Sequence, residues 1–334
     1  MQRLVSKNVL VTGGGGFIGS WLNRSLTANG ARVTILVREE AKSRALSSNK
    51  ADPSVDIVRG NVEDADFVED VLRNVPFDVI FHLASSNDNR GAIETASRVF
   101  DANILGTWNI LSGVRKFLSS QAVVVLASSA ELSRLNAFPR EQLADDTTLI
   151  HPYHAAKKCI ETMGEMFFHQ YRLRLASIRL PNVFGGGDQN FSRIIPSIIR
   201  DLADGKSPKL WSEKSSSRRY IYVEDVVDAL LAVVDHLSSN RVKECRFGFS
   251  PSPALTTTAL LQLIMEECFD GPIEMIEDQE SKGLIETAVA EPVLTLESIG
   301  WREKIGVRRG LSKAIGWYRE YRAVTNFYSG QCGN

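Results

Sequence analysis

Tyr153 and Lys157 stand four residues apart in a stretch whose apolar spacing predicts a helix from about Tyr153 to Tyr171, which puts both side chains on one face. An ammonium beside a phenol stabilises the phenolate, the form a tyrosine needs to act as a general base near neutral pH. Ser129, at the end of an apolar run, offers a hydroxyl that can hold a substrate oxygen in line with that phenol. A Tyr/Lys pair at this spacing is common surface decoration when it stands alone. Here it follows a glycine turn, five strand-like runs and Ser128-Ser129, and that order makes it the candidate catalytic pair.

The glycine turn is the stretch Val9 to Leu22. A β-branched run predicts a buried strand, Gly13 to Gly16 follow without a break, and Phe17, Ile18, Trp21, Leu22 and Leu26 recur at helical spacing. A strand that reverses tightly into a helix aims backbone N–H groups and the positive helix end at one point, where a pyrophosphate fits. Gly13, Gly16 and Gly19 match the tight turn, the close phosphate approach and the helix–strand contact of a dinucleotide fingerprint. An ordinary flexible loop is the alternative reading.

Further runs predict strands at Arg32 to Val37, Asp56 to Arg59, Asp78 to Ala84, Ala122 to Ala127 and Leu175 to Leu180, alternating with helices that include one long segment from about Ala92 to Phe117. Such alternation predicts an α/β fold, a doubly wound parallel sheet of Rossmann type, with a smaller C-terminal α/β substrate-binding domain. The glycine run Gly185 to Gly187 reads as a boundary. We expect residues 1–180 to form the dinucleotide-binding domain with 219–250 returning to it, 181–218 and 251–322 to form the substrate domain, and 323–334 to be a frayed tail. Beyond the boundary, helices are expected at Ile194 to Leu202, Val226 to His236, Leu260 to Phe269 and Leu311 to Tyr321, and strands at Arg218 to Val223 and Glu244 to Phe249.

The second strand ends where a dinucleotide fold usually meets the adenosine ribose with an acid. This chain has Val37 and then Arg38, a guanidinium suited to a 2′-phosphate, so NADP is the expected cofactor and NAD the alternative. The competing reading is a solvated arginine opening a loop with Glu39 and Glu40.

Composition excludes several classes. The 334 residues carry 39 basic and 40 acidic side chains, a formal charge of −1, so no global field recruits nucleic acid or an anionic membrane. Cys159, Cys245, Cys268 and Cys332 are scattered, without zinc or redox spacing, and are expected as reduced thiols with no metal site. With the first strand starting near Lys7 and no apolar run of membrane-spanning length, a cytoplasmic location is expected.

Taken together, Thr12 to Gly19, His82-Leu83-Ala84, Asn103 with Gly106-Thr107 and Asn109, Ser128-Ser129, Tyr153 with Lys157, Arg179 with Asn182, and Arg218 to Asp225 resemble the extended short-chain dehydrogenase/reductases that modify sugar nucleotides. The resemblance runs from about Lys7 to Tyr321. It implies a nicotinamide cofactor that oxidises the sugar at C4, with Ser129, Tyr153 and Lys157 as the triad. It further implies cofactor contacts at Gly13, Gly16, Phe17, Ile18, Gly19, Arg38, Asn61, Val62, Leu83, Ala84, Asn103, Tyr153 and Lys157, and contacts to the substrate's phosphates at Asn182 and Arg218. Without it, Asn182 reads as a turn-capping amide and Arg218 as a surface charge. His82, on a buried strand, reads as a satisfied core histidine, and His151 and His154 as solvated positions at a helix start.

Within that family, Ser129-Ala130-Glu131 resembles the Thr-Ser-Glu of GDP-mannose 4,6-dehydratases and UDP-glucuronate decarboxylases more than the Ser-Ala-Thr of UDP-galactose 4-epimerases. The resemblance implies that Glu131 removes the C5 proton once C4 is a ketone, with water then leaving from C6. Ala130 departs from the Asp-Glu of dTDP-glucose dehydratases, and Ser133-Arg134 replaces the usual Tyr-Gly, so Glu131 also reads as a plain loop carboxylate. The expected function is thus a nucleotide-sugar 4,6-dehydratase, with a 4-epimerase or decarboxylase as alternatives. An NADP-dependent ketoreductase on a non-nucleotide alcohol, as in dihydroflavonol-reductase-like relatives, and a non-catalytic cofactor sensor are the readings from other classes. The resemblance also implies a homodimer through the helices around Asn103 to Phe117 and Tyr153 to Tyr171, with Ile104, Leu111, Met163 and Phe167 available to bury there.

Overall fold

The computed structural model describes residues 4–38, 54–86, 93–132, 151–208, 217–239, 242–249, 254–268 and 293–329. Glu39, Glu40, Ser133, Arg134 and Cys332, named above, lie outside the described residues. By their contacts the residues divide into two compact units, one of Met1–Leu180, Val226–Ser250 and Ala288–Arg302, the other of Pro181–Asp225, Pro251–Thr287 and Glu303–Asn334.

The first unit is built on an eight-stranded sheet. Its strands are β1 (Asn8–Thr12), β2 (Arg32–Val37), β3 (Val55–Arg59), β4 (Val79–His82), β5 (Val123–Ser129), β6 (Arg174–Leu180), β10 (Arg246–Gly248) and β12 (Leu294–Thr295), in the order β12-β10-β6-β5-β4-β1-β2-β3. Every pairing in it is parallel. The strand order reverses between β1 and β4, and the carboxyl ends of two strands that diverge in topology leave a crevice there.

A parallel sheet is covered on both faces, which is why its strands read as unbroken apolar runs. Leu10, Leu36, Ile80, Val124, Leu126 and Leu175 point to one face and form a core with Leu72, Ile110, Leu111, Val114, Ile160 and Phe167 from helices. Their alternates Val9, Val11, Val33, Ile35 and Phe81 are equally buried, on the other face by the period-two pleat. Each such side chain contributes about 1.5–3 kcal/mol on burial. Leu111 and Phe167, assigned above to a subunit interface, therefore lie inside the protomer's own core.

The helices of this unit are α1 (Phe17–Ala28), α2 (Ala65–Asn74), α3 (Ile93–Phe100), α4 (Gly106–Phe117) and α5 (Pro152–Tyr171). Asp64 caps α2 by accepting the Phe67 N–H at 3.1 Å. Between α3 and α4, Asp101–Leu105 form a π-helical turn, so the long helix expected there is interrupted. At α5, Pro152 occupies the first turn, where its missing N–H costs nothing, and His151 caps by accepting the Tyr153 N–H at 3.2 Å.

The second unit holds β7 (Asn182–Phe184) paired in parallel with β9 (Tyr220–Tyr222), β8 (Ser217–Arg218) paired antiparallel with β11 (Leu255–Thr256), and α6 (Ile194–Ala203), α8 (Thr257–Cys268) and α9 (Val307–Ser329). A further helix, α7 (Val223–Ser239), starts in this unit and continues into the first. The strand expected from Arg218 to Val223 is thus two short strands that break at Arg219. The returning stretch joins the first unit at Val226, and Ala288–Arg302, expected with the substrate domain, belongs to the first unit because β12 extends the large sheet beside β10. The last helix runs on to Ser329, past the Ala323 where fraying was expected.

Candidate active site

The glycine turn sits at the reversal point of the sheet. Gly13 has φ +70°, and a Cβ there would lie 2.8 Å from the Ala84 nitrogen, so the turn and the residues after β4 meet backbone to backbone. At Gly19 a Cβ would lie 2.4 Å from the Gly13 oxygen, which explains how α1 packs this closely on the turn. The Gly16 N–H closes the turn on the Gly13 carbonyl at 2.9 Å, and Asn23, whose part is not legible in the sequence, donates to the Gly14 carbonyl at 2.9 Å.

The N-terminus of α1 has no side-chain cap and no acidic residue in its first turn. Its leading N–H groups thus carry the positive end of the helix toward the crevice with no local anion to oppose one from outside. Those residues fit a pyrophosphate. Phe17 and Ile18 are half-buried in this turn, Val62 is buried, and Asn61 and Arg38 are exposed. The Val37 carbonyl accepts the Gly60 N–H at 3.0 Å, which ties the ends of β2 and β3 beside Arg38.

Asn103 sits at the centre of the π-helical turn, fully buried. Its side chain accepts the Ser86 N–H at 2.8 Å and donates to the Ser86 carbonyl at 3.0 Å, a two-way clamp on the loop that carries Leu83 and Ala84. The extra residue of a π turn redirects a side chain out of helical register, and here it aims an amide at a loop of the crevice. Asn109 acts similarly, donating to the Val62 carbonyl at 3.1 Å.

On the other side of the crevice, α5 packs against β5 and β6. Lys157 is buried, and its Nζ donates to the Ala127 carbonyl at 2.8 Å while lying 5.6 Å from the centre of the Tyr153 ring. Burial pushes its pKa down to about 8, against the opposing pull of Glu161. Ser129 is buried at the end of β5 and accepts the Glu131 N–H at 3.3 Å, leaving its own O–H as a donor. The structure thus brings Ser129, Glu131, Tyr153 and Lys157 together at one end of β5 and α5.

Two further groups complete this corner. His154 Nε2 lies 2.5 Å from Glu131 Oε2, so this histidine is a hydrogen-bond partner of that carboxylate and not a solvated helix start. One turn beyond Lys157, the buried Glu161 accepts from Ser128 Oγ at 2.6 Å and from Arg179 Nε and Nη2 at 2.8 and 2.7 Å. Removing one member of such a buried bidentate pair costs about 3–5 kcal/mol, so this network fastens α5 to β5 and β6. Its sequence signal was the i, i+4 spacing of Lys157 and Glu161 on one helix face.

Asn182 and Arg218 lie in the second unit, apart from the residues above in the division of the chain. Asn182 donates through both its backbone N–H and its Nδ2 to the Arg219 carbonyl, at 3.3 and 3.1 Å, which holds β7 beside the residue that follows Arg218. Asp225, closing the same motif, accepts the N–H groups of Lys304 and Ile305 at 3.0 and 2.8 Å. Among the described residues there is no cluster of potential metal ligands, and no helix is long and apolar enough to cross a membrane. Cys159, Cys245 and Cys268 are free thiols.

Strand order, a glycine turn at the reversal point and a Tyr/Lys helix facing it define an extended short-chain dehydrogenase/reductase. Residues 9–245 match the NAD dependent epimerase/dehydratase family, and the chain belongs to it, an enzyme that works with a nicotinamide cofactor. The chain is 24% identical over 328 residues to the dTDP-D-glucose 4,6-dehydratase of Homo sapiens, covering 94% of this chain and 91% of that one. Its fold is shared with a UDP-N-acetylglucosamine 4-epimerase from Methanobrevibacter ruminantium in complex with UDP-N-acetylmuramic acid (TM-score 0.78, 23% identity, 95% and 99% of the two chains). It is shared equally with a dTDP-glucose 4,6-dehydratase from Streptomyces venezuelae with NAD bound (TM-score 0.75, 24% identity, 95% and 98%).

Proposed function

We propose that this enzyme is a nucleotide-sugar 4,6-dehydratase that uses NADP. The observation that carries the reading is the Glu131 carboxylate, held by His154 two residues past Ser129 and beside Tyr153. Oxidation at C4 alone needs no such base, whereas elimination across C5 and C6 does.

Gly13, Gly16, Phe17, Ile18 and Gly19 would hold the cofactor's pyrophosphate, Arg38 its 2′-phosphate, and Leu83, Ala84, Tyr153 and Lys157 its nicotinamide half. Bound there, the nicotinamide supplies the oxidising power at C4. Tyr153 takes the proton of the C4 hydroxyl, Lys157 stabilises the phenolate that does so, and Ser129 donates a hydrogen bond to the same oxygen. Glu131 then takes the C5 proton, made acidic by the C4 ketone. As the C5–C6 double bond forms, the C6–O bond breaks, and the Glu131 carboxylic acid returns its proton to the departing oxygen, which leaves as water; return of the C4 hydride to C6 and delivery of a solvent-derived proton to C5 would then leave the nicotinamide oxidised again and the sugar lighter by one water. Asn182 and Arg218 are assigned to the substrate's phosphates.

A 4-epimerase is the second reading, favoured by the fold likeness to the Methanobrevibacter ruminantium enzyme. Incubation with a panel of nucleotide hexoses, followed by mass and NMR analysis, separates the two. A product lighter by one water, carrying solvent deuterium at C5, is expected. A C4 epimer of unchanged mass overturns the dehydratase assignment.

A further inference from the structure

We propose that His154 is a positioning residue for Glu131, fixing the orientation of its carboxylate for proton transfer at C5; the proposal rests on the elimination reading above. Glu131 follows β5 with its side chain 44% exposed, and a rotamer-rich side chain so placed is unordered unless something holds it. His154 holds it, only 17% exposed, on the first turn of α5 and next in sequence to Tyr153. The 2.5 Å contact between Nε2 and Oε2 therefore ties the carboxylate to the same helix turn that carries the phenol. From its other end Glu131 is tied to Ser129 through its backbone N–H.

His154 Nδ1 is buried with no hydrogen-bond partner among the described residues. A carboxylate only accepts, so Nε2 is the donor in the contact with Glu131. His151 and Tyr153 flank the ring, with centroids at 5.9 and 5.8 Å. The Nε2 donor fixes the direction of the carboxylate it faces.

The test uses wild type, His154→Ala and His154→Gln with UDP-glucose and dTDP-glucose in deuterium oxide, NAD and NADP both present. Single-turnover absorbance follows cofactor reduction, and NMR follows deuterium entry at C5. His154→Ala should slow C5 exchange about tenfold to a hundredfold while cofactor reduction stays within about twofold of wild type. Glutamine, whose amide N–H has similar reach, should recover most of the exchange. Exchange at the wild-type rate in His154→Ala overturns the proposal, as does an equal fall of both steps in both variants, the mark of a structural role. Wild type that leaves C5 unexchanged in both sugars removes the elimination reading and the proposal with it, and this is seen before any variant is made.

Discussion

Thr12 Oγ1 lies 2.7 Å from His82 Nδ1, and the two residues join the ends of β1 and β4 directly beneath the glycine turn. The imidazole's other nitrogen lies 3.0 Å from Thr107 Oγ1, whose proton goes to the Asn103 carbonyl at 2.6 Å. Thr107 must therefore accept from Nε2–H, and Thr12 must donate to Nδ1 while accepting the Ala84 N–H at 3.2 Å. One neutral histidine satisfies a chain of bonds from the π-helical turn to the crevice. Its pKa falls to about 3, from burial first and from the nearby Lys157 charge second.

Acid stability should follow from this pair. Between pH 6.5 and about 3 the unfolded chain takes up the imidazole proton and the folded chain does not, so stability falls with pH, by up to about 1.4 kcal/mol per unit from this group. Urea unfolding at pH 7 and pH 5 measures it. His82→Asn should be less stable at pH 7 by about 1–3 kcal/mol through unsatisfied hydroxyls, and should lose less on acidification. An unchanged pH slope in the variant would refute the assignment.

Tyr153→Phe should keep cofactor affinity and abolish turnover, because it deletes the proton acceptor and retains the ring. Glu131→Gln should still reduce its bound cofactor with substrate but lose C5 exchange by about a hundredfold or more. Stopped-flow absorbance and deuterium NMR on the two variants make the comparison, and wild-type product formation by Glu131→Gln would favour the epimerase.

Arg38 should set the cofactor preference. Fluorescence titration is expected to show tighter binding of NADP than NAD, with Arg38→Ala weakening NADP about tenfold and NAD little. Equal affinities in the wild type would sink this.

A homodimer is expected, through a face different in detail from the one read in the sequence. Phe100, Leu105, Trp108 and Tyr171 are exposed on α3 to α5, Trp108 by 46%, where Leu111 and Phe167 are internal. Trp108→Glu should shift a dimer mass toward monomer in light scattering at micromolar concentration, with the melting of the protomer otherwise retained. A monomeric wild type would end the idea.

The frame of the first unit was legible because its signals are local. Strand, glycine turn and helix follow one another in the chain, and Tyr153 and Lys157 share a face through helix geometry alone. His82 could be read as a core histidine for the same reason, since it stands in an apolar strand. Arg179 was visible as part of a motif, but its partner Glu161 was not, because that ion pair joins β6 to α5.

What only the tertiary structure decided rests on long-range pairing and on a single extra residue of helix. Two-residue strands such as Leu294–Thr295 carry no pattern by themselves and exist because a sheet edge offers them hydrogen bonds. The π-helical turn shows no periodicity of its own, yet it aims Asn103 at Ser86. The pairing of His154 with Glu131 crosses from a strand end to a helix start. The family resemblance named the carboxylate as a candidate base, and only the packing of α5 on β5 put His154 against it.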